Sequence, residues 1–284
     1  MGLFSRNYSK PGKGVSKNAP QKAAIFTLFE VYFRKFWNLI LLNLIYFLCS
    51  AIPIIFIAGV QVPFILGHVS AANLPLELLP YLFIITCVFI VLGVGAFGPA
   101  QAGFIYVVRN YSEEKHAFVW KDFFDCAKAN FKQGLLVSII DFIISFLLCF
   151  NIFSIRAMDV GTYTNIVSAV NYAVFAIFLM MHMYLYQIMI TFKLSIWQIY
   201  KMSFLMVVSN ISSALMTFMF IILLVSTPFF SVQLGFLLIL FLLFSTVGFI
   251  YTFYANRRIK RTLIDNVFRF KSCEGMKDKI RGDI

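Results

Sequence analysis

Charge is what this sequence has least of. Of 284 residues, 13% are Asp, Glu, Lys or Arg, with only 12 acidic side chains and three histidines. A soluble domain is about 25% charged and about 45–50% apolar, whereas this chain is 61% apolar and 18% aromatic. An ordinary soluble fold is therefore excluded. The five cysteines, Cys49, Cys87, Cys126, Cys149 and Cys273, form no CxxC pair, which excludes the usual zinc and thiol-redox spacings and leaves them as small packing residues. The Gly12-Lys13-Gly14 triplet lacks the GxxxxGK[ST] spacing of a phosphate loop. Arg6 stands where a myristoylation signal wants Ser or Thr. No nucleophile and base can be paired from the sequence, so the expectation is a protein that is not an enzyme and carries no cofactor.

What fills the chain instead is apolar runs of membrane length. Crossing about 30 Å of hydrocarbon takes about 20 helical residues. Runs of that order occur from Trp37 to Val60, Leu79 to Val107, Leu135 to Ser154, Val167 to Thr191, Phe204 to Thr227 and Phe229 to Tyr254. The expected fold is all-α, a polytopic membrane protein with six transmembrane helices, the last two joined by a tight turn at Pro228. All but one of the 24 Lys and Arg residues lie before the first run, in alternate loops or after the last; the exception is Arg156. The positive-inside rule then puts both termini in the cytoplasm, and the plasma membrane is the expected location. The same topology explains the net charge of +12 without nucleic acid, because the cations sit at span ends rather than on a soluble surface. No cleavable signal is expected, since the segment before the first run is polar and that run is too long; the first span itself inserts the chain.

Three parts follow: a cytoplasmic segment 1–36, a six-helix domain 37–256, and a basic tail 257–284. Residues 1–21 are rich in Gly, Pro, Ser and Lys and should lack a core of their own. From Lys22, Ile25, Leu28, Phe29, Tyr32, Phe33 and Phe36 form one apolar stripe, the pattern of a helix lying in the interface. The first span carries Asn38, Asn43 and Pro53, and the second ends in small residues from Gly93 to Gly103 with a kink expected at Gly98-Pro99. The loop 61–78 has no Lys or Arg. The tail opens on Arg257-Arg258-Ile259-Lys260-Arg261, a run suited to anionic lipid on the cytoplasmic face, and continues into a further interfacial helix with Leu263, Ile264, Val267 and Phe268 towards lipid.

Two features invite a functional reading. Between the second and third runs, Trp120, Phe123, Phe124, Ala127 and Phe131 recur at helical spacing with Lys121, Asp122, Asp125, Lys128 and Lys132 between them. This predicts an amphipathic helix over 113–132, resting on lipid or docking a partner. The segment shows no EAA-type permease spacing. A weak echo links it to the next cytoplasmic loop, where Trp197 is likewise followed three residues later by an aromatic, Tyr200. The second feature is polar residues inside spans, which are costly and therefore informative. Asp141, His182 and Asn210 lie at depths that agree to within about one helical turn. They form either a proton or solute site or interhelical hydrogen-bond glue.

Segments at both ends and in the middle, Asn7 to Lys22, Phe29 to Leu48, GPAQAGFIYVVRNYSEEKHAFVWKDFFDCAKANFKQ (Gly98 to Gln133) and Tyr254 to Asn266, resemble the YesL family of bacterial multi-pass membrane proteins. The resemblance implies a non-enzymatic accessory or assembly role in carbohydrate uptake, with sugar ABC transporter subunits as partners, and supplies no catalytic residues. Its alternative is a small-solute or proton-coupled transporter or channel with Asp141, His182 and Asn210 as its polar core. The long loop 61–78 departs from the compact form of the family.

Overall fold

A computed structural model describes residues 23–56, 97–158 and 161–264. Among them there is helix and no strand: α1 (Ala24–Arg34), α2 (Phe36–Phe56), α3 (97–112), α4 (Val119–Ala129), α5 (Phe131–Met158), α6 (Thr162–Thr191), α7 (Ile196–Ser209), α8 (Ile211–Ser226), α9 (Val232–Leu238) and α10 (Phe244–Ile259). A 3-10 turn, Thr227–Phe230, joins α8 to α9 at the expected Pro228 corner, and a π-helical turn, Ile239–Leu243, links α9 to α10. A second π turn, Lys260–Ile264, follows α10. Among the described residues, four stretches are long and apolar enough to span a membrane: Phe131–Ile152, Thr162–Thr191, Ile211–Phe230 and Gln233–Thr262. The bent pair Ala24–Arg34 and Phe36–Cys49 makes a fifth if it counts as one span. Most of the expected second span, the small-residue run before Phe97, the loop 61–78, the termini, and Val267 and Phe268 of the tail lie outside the described residues.

The stripe before Trp37 becomes α1, which meets α2 at 75° across Lys35. Only one side of α1 is buried, at Val31, while Ile25, Phe26, Phe29 and Phe33 face outward. That is the geometry of a helix lying along a surface before the chain turns into a span.

Helix α3 runs through the middle. Ala102, Ile105, Val107, Val108 and Tyr111 are fully buried on it, and α2, α6 and α10 contribute Leu39, Leu42, Tyr184, Leu185, Ile188 and Phe249 to the same core. Its small residues decide how close its neighbours come. A Cβ placed at Gly98 would collide with the Gly134 carbonyl at the start of α5, and one at Gly103 would collide with the Phe123 carbonyl of α4. The backbones therefore touch where a methyl group has no room. On the outside, Phe142, Phe146 and Phe150 of α5 form an exposed stacked ladder; against lipid tails this exposure costs little.

Helix α10 is tied to α2 by one side chain. Asn43 is fully buried. Its amide donates to the Ile239 and Leu240 carbonyls at 3.0 and 2.7 Å, and its oxygen accepts from the Ser245 N–H at 2.8 Å. A π turn disturbs the regular i→i+4 ladder and leaves backbone groups without partners, and hydrocarbon offers none. Asn43 supplies what the turn lacks.

At the basic end of the bundle, Glu113 receives Lys115, Lys260 and Asn256, and Arg34 pairs with Glu114 at 2.6 Å. Glu114 adopts φ 58° to turn the chain out of α3. Burial works to raise the Glu113 carboxyl, but hydrogen bonds from Lys115, Asn256 and Lys260, with the Lys260 charge beside it, prevail and hold it at about 2. All three tryptophans stand exposed here: Trp37 beside the α1–α2 bend, and Trp120 and Trp197 at the second positions of α4 and α7. Tryptophan favours the plane between hydrocarbon and water, and each of the three stands at the start of its helix.

Candidate functional site in the membrane-spanning bundle

Asp141 lies ten residues beyond Phe131 in α5, and His182 nine residues before Thr191 in α6. At 1.5 Å per residue both sit about 14–15 Å from the basic end of their helices. Because the two helices pack together, equal depth becomes contact: His182 Nε2 is 3.0 Å from Asp141 Oδ2. The other ring nitrogen, Nδ1, is 2.9 Å from the Phe178 carbonyl. A third helix completes the group, since Tyr200 of α7 donates its hydroxyl to Asp141 Oδ1 at 2.6 Å.

A neutral imidazole has one N–H, yet both nitrogens of His182 face acceptors. A protonated ring would donate to both at once, and beside an ionised Asp141 its charge would be cancelled within the pair. Asp141 is 8% exposed, in surroundings where an isolated charge would be expensive.

Asn210 is not part of this group. It caps α7 at the junction with α8 and donates to the Met206 carbonyl and to Ser209 Oγ at 3.3 and 2.9 Å. The expectation set it inside the run Phe204 to Thr227, at the depth of Asp141 and His182. The structure breaks the helix at Asn210 itself, so the span begins at Ile211. The residue in the expected role is Tyr200, outside every apolar run; its only signal was its place three residues after Trp197.

A cavity of about 590 Å³ adjoins the pair, with His182 in its wall. Four of its five polar residues gather at one end: His182 and Tyr186 of α6, Gln101 of α3 and Tyr251 of α10; the fifth, Ser226 at the end of α8, donates its hydroxyl to the Leu223 carbonyl at 2.7 Å. Gln101 Nε2 donates to the Tyr251 hydroxyl at 2.9 Å. Tyr186 is 1% exposed, lies near Asp141, Tyr200 and Tyr251, and its hydroxyl has no hydrogen-bond partner. Towards the end far from the basic side the wall is apolar, with Leu179, Phe218, Ile222, Val225, Phe229 and Val247. Among the described residues no three His, Cys, Asp or Glu side chains gather as metal ligands.

The amphipathic helix expected over 113–132 forms as α4, shorter at both ends, because 113–118 are taken up by the turn after α3 and the chain breaks at Asn130, so that Phe131 opens α5. Its apolar stripe is divided. Phe123 is buried at 1% exposure against α3, and Phe124 and Ala127 are half-buried. Trp120 and Phe131 remain exposed, joined by Phe118. Phe123 thus belongs to the chain's own core and is withdrawn from any docking face.

Residues 76–152 match the model of a family described as "Protein of unknown function, DUF624". The matched stretch includes α3, α4, Asp141 and most of α5, but neither His182 nor Tyr200. No curated protein and no solved structure matches the chain.

Proposed function

We propose that the protein is a proton-linked carrier of the plasma membrane, with the basic end and both termini in the cytoplasm, six spans in all and no catalytic step of its own. One observation carries the reading: Asp141, His182 and Tyr200 come from three helices to one point in mid-bundle, within 2.6 and 3.0 Å of one another through Asp141, and His182 lines a cavity. Ionisable groups inside a membrane mark solute and proton routes, and histidine exchanges protons near neutral pH. The test is proton flux in vesicles reconstituted with the full chain under an imposed pH gradient. Asp141→Asn is expected to abolish the gradient-driven flux while leaving the melting temperature in detergent within a few degrees. Flux equal to wild type would overturn the carrier.

A second reading has its own support. The exposed aromatic patch of Phe118, Trp120 and Phe131 at the basic end, with the YesL resemblance, suits an accessory protein that docks sugar ABC transporter subunits beside anionic lipid. Co-purification from native membranes in mild detergent checks it: transporter subunits should accompany wild type and be lost from a Phe118→Ala, Trp120→Ala double variant. Recovery of the chain alone in both cases leaves those aromatics as lipid anchors.

A further inference from the structure

We propose that the cavity beside His182 binds a molecule with an apolar body and a hydrogen-bond-accepting tip, of the class of a medium-chain carboxylic acid in its neutral form. The inference deepens the carrier reading and rests on it for movement across the membrane, though binding can be tested alone.

The walls set the body. Leu179, Phe218, Ile222, Val225 and Val247 offer no polar side-chain atom, and the Ser226 hydroxyl beside them is given to the Leu223 carbonyl at 2.7 Å, so that half of the cavity suits hydrocarbon. The polar end sets the tip, and it does so through donors. Tyr186 has a hydroxyl with no partner although the residue is almost wholly buried. The Tyr251 oxygen already accepts from Gln101, which leaves its proton to donate. Both His182 nitrogens are committed to Asp141 and Phe178. Two phenolic O–H groups therefore point to an acceptor, and a carbonyl or carboxyl oxygen meets both. A cationic tip would meet donors. A carboxylate would arrive as an uncompensated charge, because Asp141 and His182 neutralise each other and the remaining polar groups are neutral. The acid accordingly enters with its own proton, which is also how it would carry one across.

The depth of the residues gives the approach. On α6 the chain runs towards the basic end from Leu179 to Tyr186, and through α8 and the turn after it the chain runs away from that end from Phe218 to Phe229. The tip lies in mid-bundle and the body extends towards the half of the membrane opposite the basic end.

The experiment uses the full chain in nanodiscs of ether-linked lipid, which lack ester carbonyls, with a diazirine-bearing decanoic acid as photoprobe and mass spectrometry to map the label. Label is expected on α6 and α8 around Leu179, Phe218 and Ile222, displaced by octanoic acid and by methyl octanoate but not by octylamine or octane. Tyr186→Phe and Tyr251→Phe should each lower labelling roughly five- to tenfold, the effect of removing one donor to a buried acceptor. Ile222→Trp should remove it by filling the cavity. Uniform label over lipid-facing helices, displacement by octane as effective as by the acid, or absence of label on α6 and α8 would each overturn the proposal. If nanodiscs of ester-linked lipid suppress the label, the acceptor is a lipid carbonyl and the free acid is ruled out. Cavity label combined with an unchanged flux in Asp141→Asn leaves the site standing and removes the carrier. Flux lost in that variant without cavity label keeps the carrier and removes this ligand class.

Discussion

Two parts of the chain follow one plan and use it differently. In each, a short helix near the basic end begins with an exposed tryptophan at its second position, stops at an asparagine that donates back to the carbonyl four residues earlier, and gives way to a long apolar helix. The first is α4–Asn130–α5, with Asn130 on Cys126 at 2.9 Å; the second is α7–Asn210–α8, with Asn210 on Met206 at 3.3 Å. The side chain three residues after each tryptophan points inward. In α4 that residue is Phe123, which packs against α3 and ends there. In α7 it is Tyr200, whose ring adds a hydroxyl that reaches Asp141. The same geometry thus gives a structural clasp in one place and a polar ligand in the other, and a single oxygen atom separates them.

The largest effect is expected from breaking the clasp. Gly103→Leu puts a side chain where the α4 backbone lies, and overpacking against backbone has no flexible neighbour to absorb it. The variant should lose its monodisperse peak on size-exclusion chromatography, whereas Leu at the exposed Met216 of α8 should elute as wild type.

Next comes the polar contact of the second unit. Tyr200→Phe makes the two units alike and strips Asp141 of one donor. A hydrogen bond to a charged group contributes about 1.5–3 kcal/mol, so the melting temperature should fall measurably. The matching change in α4, Phe123→Tyr, buries a hydroxyl against α3 and should destabilise as well. If Tyr200→Phe melts as wild type, the hydroxyl does not hold Asp141.

Acid should act on the turn that feeds the first unit. The Glu113 carboxyl is held at about 2 in the fold against an ordinary 4.5. A depressed folded value gives stability that is complete above about pH 4.5 and disappears as pH falls towards 2. Melting temperatures between pH 6 and 3 should decline, and Glu113→Gln should flatten that decline while lowering the plateau. The smallest effect belongs to the cap of α7. Ser195 and Gln198 form a capping box, and Ser195→Ala should cost about 1 kcal/mol, seen as a small shift in the same melts.

How much of this was legible beforehand differs residue by residue. The α1 stripe, the Pro228 corner and the amphipathic α4 are periodic or punctuated, and periodicity is a local property that survives in one dimension. Asp141 and His182 were legible because polar residues in apolar runs are rare, and because helical rise converts sequence position into depth. Asn210 failed on the same arithmetic: an apolar run does not show where a helix breaks, and the break moved Asn210 to the end of its span. Tyr200 was legible only as an aromatic three residues after Trp197, since its contact with Asp141 exists only once α7 folds against the bundle.

The sequence by itself determined that the protein is a membrane-embedded helical bundle with a basic end, because hydrocarbon excludes charge and demands saturated backbone hydrogen bonds whatever the partners are. Only the tertiary structure decided that Asp141, His182 and Tyr200 meet, that Asn43 repairs the π turn at Ile239–Leu243, and that Gly98 and Gly103 take backbone rather than side chain. Those are contacts between helices distant in the chain. They depend on which face of each helix turns inward, and that choice is made by the whole bundle at once.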